Sequence, residues 1–300
     1  MQNVKRKSSK EGTNANKTAK KNLPESTTLK DFFYMIVLYV LKKCVYTPTH
    51  IKIGIYMIAL LAGSLLKDFQ MVPITYFSFK SNIFNLYFVR LGWLWTLLAS
   101  TPWIMLTSCV YSAGNRFTIT AHLTRTLIAT GLWFLFTTIF DYIDRSTGRC
   151  VSKVFSTKQL CKANKYDWID SIDISGDSFV LMYSLFYLLE EIKIYYIWDN
   201  IKNEVRKDDE QLSEKAKRVK IWFNLLTPYI KINFIFVSLF IILWEIMLFA
   251  TFLYFHIISH KLFAAFAAII CWFLTYKFYY LQASSPGLPG RGSEIIFCKK

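Results

Sequence analysis

Asp170-Ser-Ile-Asp-Ile-Ser-Gly-Asp-Ser-Phe-Val-Leu-Met-Tyr-Ser-Leu-Phe-Tyr-Leu-Leu-Glu-Glu191 changes character halfway along its length. The first half sets Asp170, Asp173 and Asp177 around a Ser175-Gly176 step. The second half, Phe179 to Leu189, carries no charge, and Glu190-Glu191 closes it. Ser before Gly, with an acid next, reads as a helix start. The hydroxyl caps free amides and the carboxylate meets the positive end of the dipole. An uncharged run of this kind belongs to a buried helix or to a membrane span, and the rest of the chain decides which.

Outward from this stretch the chain is 54% hydrophobic and 18% aromatic, with only 19% charged residues. A soluble domain carries about 25% charged residues. Apolar runs approach the roughly 20 residues needed to cross a bilayer. They place spans near 51–66, 84–106, 123–143, 179–198, 234–255 and 262–281. The fold class is therefore an all-α membrane protein with six transmembrane helices. Residues 1–30 hold eight Lys or Arg and two acids, which reads as a disordered basic cytosolic tail. Residues 31–48 are apolar but short and end in Lys42, Lys43 and Pro48, so they read as an interfacial amphipathic helix. The membrane domain covers 49–285, and 286–300 form a second cytosolic tail.

The net charge of +16 sits in tails and loops between apolar runs. That distribution orients a membrane protein and meets anionic lipid, so no nucleic-acid partner is assigned. The loop after the third span and the charged loop 200–232 lie on opposite faces. Asp177 enters the fourth span and His256 leaves the fifth. Two crossings separate them, so they share one membrane face in either orientation. This parity makes the pair the candidate site.

A helix N-terminus at a membrane face also suits phosphate, because its free N–H groups point outward. That reading makes Ser175, Gly176, Ser178 and Phe179 candidate substrate-binding residues. A histidine can attack phosphorus and carry the phosphoryl group. Against this stand plainer readings: Ser175 as cap, His256 as an interfacial polar residue. Asp170, Asp173 and Asp177 could ligate a divalent cation, and His256 with His260 a transition metal, but no third ligand for the histidines is evident. No metal and no cofactor are assigned. Glu190, Glu191 and Glu245 are costly at membrane depth and point to ties between spans four and five or to a polar path, with Lys193 a partner for one of them. Cys150 and Cys161 share a loop, and an oxidising lumen would favour a disulfide between them. Arg145, Arg149, Lys153 and Lys261 are candidate phosphate partners because they lie on the face of Asp177.

Asp173-Ile174-Ser175-Gly176-x-Ser178-Phe179, Glu190-Glu191, His256, Thr147-Gly148-x-Cys150 and Trp272-Phe273-Leu274-Thr275-Tyr276 together resemble the signature of the fat-storage-inducing transmembrane (FIT) family. The resemblance covers roughly residues 50–285. It implies a six-span endoplasmic reticulum protein, both termini cytosolic, with a helical bundle similar to lipid phosphate phosphatases. It implies roles in lipid-droplet formation and ER lipid homeostasis. The implied reaction cleaves fatty acyl-CoA at its diphosphate, giving acyl-4′-phosphopantetheine and adenosine 3′,5′-bisphosphate. Binding of diacylglycerol and triacylglycerol is implied as well. Two lumenal histidines carry the family's chemistry. The second corresponds to His256; at the first, this chain has Asp177. A helix N-terminus favours the carboxylate anion, so an ionised Asp177 and reduced or absent hydrolysis are expected. The alternative is a non-catalytic neutral-lipid scaffold.

Overall fold

A computed structural model describes residues 29–152, 154–205 and 214–291. The expected N-terminal tail, Lys153 and the last nine residues lie outside the described residues. The chain divides into an N-terminal unit ending at Val37 and a large unit from Leu38 onward. Helix α1, Leu29–Val45, covers the expected interfacial segment. Within the large unit follow α2 (Thr49–Asp68), α3 (Gly92–Tyr111), α4 (Arg116–Thr147), α5 (Lys158–Ala163), α6 (Gly176–Glu191), α7 (Trp198–Val205), α8 (Glu214–Tyr254) and α9 (Ile258–Trp272).

Among the described residues, five helical runs are long and apolar enough to cross a membrane: α2, α3, α4, α8, and the run Ile258–Leu281 that α9 begins. The expected fourth crossing, α6, has 16 α-helical residues and continues as a 3₁₀ segment, Ile192–Ile197. It is the axis of the bundle, buried without interruption from Leu181 to Ile192. α3, α4, α8 and α9 surround it. Its aromatic residues form a continuous stack: Phe179 to Tyr183 at 5.6 Å, and Tyr183 to Trp93 at 5.3 Å.

The expected charged loop 200–232 is largely helical. α7 occupies its start, and α8 begins at Glu214, 20 residues before the expected fifth span. Lys, Arg, Glu and Ala are good helix formers, and Lys217 pairs with Glu214 at 2.8 Å. At 41 residues, α8 reaches about 61 Å, about twice the hydrocarbon thickness. Apolarity marks the membrane portion of a helix, and the helix itself runs on.

The acids at the inner end of α6 are tied down. Arg125 of α4 donates to both Glu191 oxygens, at 2.8 and 2.7 Å, and Tyr276 adds a third bond at 2.7 Å. Glu190 accepts from Thr49 at 2.8 Å and Trp272 at 2.9 Å, and pairs with Lys193 at 2.6 Å. Glu245 instead meets Lys52 and Tyr56 of α2, at 2.5 and 2.7 Å. The expected tie between spans four and five is thus replaced by ties to α2, α4 and the C-terminal helical run. A buried carboxylate requires a partner wherever the packing offers one, and the offers come from these helices.

The loop from α4 to α6 is a small ordered unit. β1 (Arg149–Cys150) pairs antiparallel with β2 (Trp168–Ile169), Arg149 opposite Ile169 and Cys150 opposite Trp168. Cys150 and Cys161 form a disulfide, Cα atoms 5.8 Å apart, that fastens α5 to β1. Trp168 covers Gly148 so closely that an added Cβ would lie 2.0 Å from its indole nitrogen, so only Gly fits there. The unit is tied to the end of α4 just before α6, where Ile172 N–H donates to Thr147 Oγ1 at 3.0 Å.

Candidate active site

α8 stops at Tyr254 and α9 starts at Ile258, so the chain breaks just where His256 falls. His256 adopts φ +52°, the left-handed region. Non-glycine residues seldom sit there, and such outliers gather at functional sites. The break frees carbonyls at the end of α8, and two lysines take them. Lys261 Nζ donates to the Phe252 carbonyl at 2.8 Å, and Lys67 Nζ to the His256 carbonyl at 2.6 Å. A cation at a helix C-terminus also meets the negative end of its dipole. The turn that presents His256 is therefore held from α2 and α9.

α6 is anchored against the same turn. Ser175 N–H donates to the His260 carbonyl at 3.3 Å. The Ser175 hydroxyl oxygen accepts from Ser178 N–H at 3.3 Å, the expected N-cap, while its own proton goes to Ser178 Oγ at 2.8 Å. This tie sets Asp177 beside His256. Each side chain is near enough for its charge to act on the other's titration. Asp173 Oδ2 lies 4.0 Å from His256 Nδ1.

A third group completes the site. The loop between α2 and α3 folds over the end of α8. Thr75 donates to the Tyr254 hydroxyl at 2.9 Å, and that hydroxyl donates to the Pro73 carbonyl at 3.1 Å. Lys80 then lies over the Phe255 ring, 6.0 Å from its centroid, and its charge reaches both Asp177 and His256. Sequence reading missed Lys80. The signal was present, since the parity that placed His256 also places the loop after the first span on that face.

The electrostatics reverse one expectation. Loss of solvation raises the Asp177 carboxyl above its ordinary 3.8, outweighing the pull of His256 and Lys80; Asp173 adds to the rise. The residue surface is open to solvent, but packed atoms crowd the carboxyl. The expected lowering by the helix dipole does not prevail. His256 moves the other way. Burial lowers its imidazole below the ordinary 6.5, against Asp173 and Asp177, which favour the cation. The result is a neutral imidazole beside a carboxyl that holds its proton to higher pH. Both shifts run in the direction that attack by the imidazole and proton donation by the carboxyl require.

Other residues singled out from the sequence lie around the site. Ser175, Ser178 and Phe179 are fully buried, so their side chains form the cap and floor beneath it and present nothing to a ligand. Gly176 stands at the first turn. The candidate phosphate partners are committed elsewhere: Arg145 to Asp141, Arg149 to Asp170 at 2.6 Å, and buried Lys261 to its carbonyl. Among the described residues, no group of three or more His, Cys, Asp or Glu is arranged to hold a metal ion.

The family model for "Fat storage-inducing transmembrane protein" matches residues 73–276. The chain is 33% identical over 287 residues to the acyl-coenzyme A diphosphatase FITM2 of Drosophila melanogaster, covering 89% of this chain and 67% of that protein. To the human acyl-coenzyme A diphosphatase FITM2 it is 31% identical over 246 residues, covering 79% and 85%. The Danio rerio protein of that name is 33% identical over 238 residues, covering 76% and 84%. No solved structure matches.

Proposed function

Given that this chain belongs to the fat storage-inducing transmembrane family, we propose that it hydrolyses fatty acyl-CoA at the diphosphate, with His256 as nucleophile and Asp177 as proton donor. In this reading α6 is the fourth crossing and brings their number to six. The protein sits in the endoplasmic reticulum membrane with both termini cytosolic and the site lumenal, and it serves lipid-droplet formation and ER lipid homeostasis.

The observation that carries the reading is the convergence of His256, Asp177 and Lys80 at the break between α8 and α9. The imidazole attacks the phosphorus on the pantetheine side. The bond to the bridging oxygen breaks, and adenosine 3′,5′-bisphosphate leaves as Asp177 gives up its proton. Water then cleaves the phosphohistidine, releasing acyl-4′-phosphopantetheine and restoring the imidazole. A phosphate is a weaker base than an alkoxide, so its departure demands less of the acid than an ester would. Lys80 offsets the negative charge that Asp177 presents to the diphosphate when ionised.

Purified protein in nanodiscs, supplied with oleoyl-CoA, should release adenosine 3′,5′-bisphosphate, and His256→Ala should abolish the release. Turnover by His256→Ala at the parent rate would overturn the mechanism. One observation favours a second reading, a non-catalytic binder of diacylglycerol or triacylglycerol: a carboxylate stands where the family resemblance places histidine. That reading predicts neutral-lipid retention by the purified protein with no cleavage of acyl-CoA.

A further inference from the structure

Beside the start of α6, a cavity of about 290 Å³ opens between α3 and α4. Arg90, Trp93, Leu94, Leu97, Trp133 and Val180 line it. The walls are apolar and aromatic, with Trp93 and Trp133 stacked 5.9 Å apart. Leu94 is 49% exposed on the outer surface of α3, so the cavity opens toward lipid. Arg90 is the one charged lining residue, and it has no ion pair among the described residues. An unneutralised cation at the mouth of an apolar cleft in a membrane protein matches an amphiphile whose hydrocarbon is tethered to a phosphate.

Two further features connect this cleft with the site. Val180 lies three residues beyond Asp177, on the same face of α6. Gly92 lets α3 close on that turn, since a Cβ there would approach Val180 Cγ1 to 3.0 Å. In addition, the buried indole N–H of Trp133 finds no acceptor among the described residues. A pantetheine arm carries amide and thioester carbonyls that can accept from it.

We propose that the cleft between α3 and α4 receives the acylated arm of fatty acyl-CoA, with the hydrocarbon between Trp93, Leu94, Leu97 and Trp133 and Arg90 facing the phosphate that carries the arm. This rests on the acyl-CoA reading of the site and adds a determinant of chain length to it. Specificity for long chains would then reside in α3 and α4, apart from the groups that do chemistry on the diphosphate.

The test is photolabelling of the full-length protein in nanodiscs with a fatty acyl-CoA bearing a diazirine on its chain. Mass spectrometry should find adducts within residues 90–97 and 130–133. Palmitoyl-CoA should compete for them, CoA, which lacks the hydrocarbon, only at much higher concentration, and phosphatidic acid not at all. Leu94→Trp, which fills the cleft, should cut the labelling at least fivefold and lower kcat/KM for palmitoyl-CoA about tenfold while leaving acetyl-CoA unaffected, a loss in the range of one or two excluded methylenes. His256→Ala should still label. Adducts confined to other helices, equal competition by phosphatidic acid, or equal loss for both substrates with Leu94→Trp would each overturn the proposal. Labelling in the cleft without turnover would support it and sink the hydrolase reading alone; turnover without labelling there would do the reverse.

Discussion

Asp177→His places at the centre of the site the residue that the family resemblance expects there, and its effect follows from the electrostatics. His256 must be neutral to attack. Its pKa lies below the ordinary 6.5, so the competent form is present above that lowered value and is lost as pH falls through it. Asp177 must be protonated to donate. Its pKa lies above the ordinary 3.8, so the competent form is present below that raised value and is lost as pH rises through it. The ascending limb therefore lies below pH 6.5 and the descending limb above pH 3.8, and the parent protein should show a bell-shaped kcat profile. At pH 7 a carboxyl titrating at 3.8 is protonated about one time in 1,600, and an imidazole at 6.5 about one time in four. The ratio, about 400, is a ceiling on the gain at neutral pH. The raised carboxyl brings the gain below it, as does any lowering of the new imidazole by the same crowding. An increase of about 10- to 100-fold in kcat at pH 7 is expected, with the descending limb moved toward neutrality. The assay is release of adenosine 3′,5′-bisphosphate across pH 4.5–8.5, with His256→Ala as the blank. A descending limb that stays in place in Asp177→His would refute the assignment of that limb to residue 177. An ascending limb above pH 6.5 in the parent protein would refute the electrostatic argument as a whole.

Lys80→Met removes the cation facing the diphosphate and should raise KM for acyl-CoA about tenfold, a charge-assisted contact being worth about 1.5–3 kcal/mol; an unchanged KM would place the phosphates elsewhere. Lys80 also favours the carboxylate form of Asp177, so the same variant should move the descending pH limb upward. Arg125→Met strands Glu191 in the bundle, where both side chains are 2% exposed; removing one partner of a buried pair costs about 3–5 kcal/mol. Thermal unfolding in detergent should show a large loss, partly recovered by adding Glu191→Gln, and an unaltered midpoint would contradict the network. Reducing or mutating the disulfide, which joins positions 11 apart, should cost up to about 3 kcal/mol of loop stability. Amide exchange across 149–170 should quicken while α6 below Phe179 stays protected. Lys67→Met should loosen the turn at His256 and lower kcat about tenfold with little change in KM, while Lys67→Arg retains most of the rate, as expected for a residue that positions the nucleophile.

The amino-acid sequence by itself determined the membrane class, the order of the apolar runs and the shared face of Asp177 and His256. Each follows from a strong local rule: unbroken apolarity for about 20 residues, and the alternation of faces with each crossing. The Ser175 cap is equally local, because the hydroxyl and the amide it satisfies lie three residues apart. Helix ends beyond the membrane were illegible, since lysine- and glutamate-rich segments such as 214–220 suit solvent whether coiled or helical. The partners of Glu190, Glu191 and Glu245 were set by which helix packs against which, and no spacing along one helix encodes that. The same holds for Lys80. Its membrane face followed from parity, but its place beside His256 depends on Thr75 and Pro73 meeting Tyr254. Most consequentially, the capping rule alone pointed the Asp177 carboxyl downward, and its surroundings raise it. The capping rule reads one element, whereas the loss of solvation that raises the carboxyl comes from segments brought together only in the folded bundle.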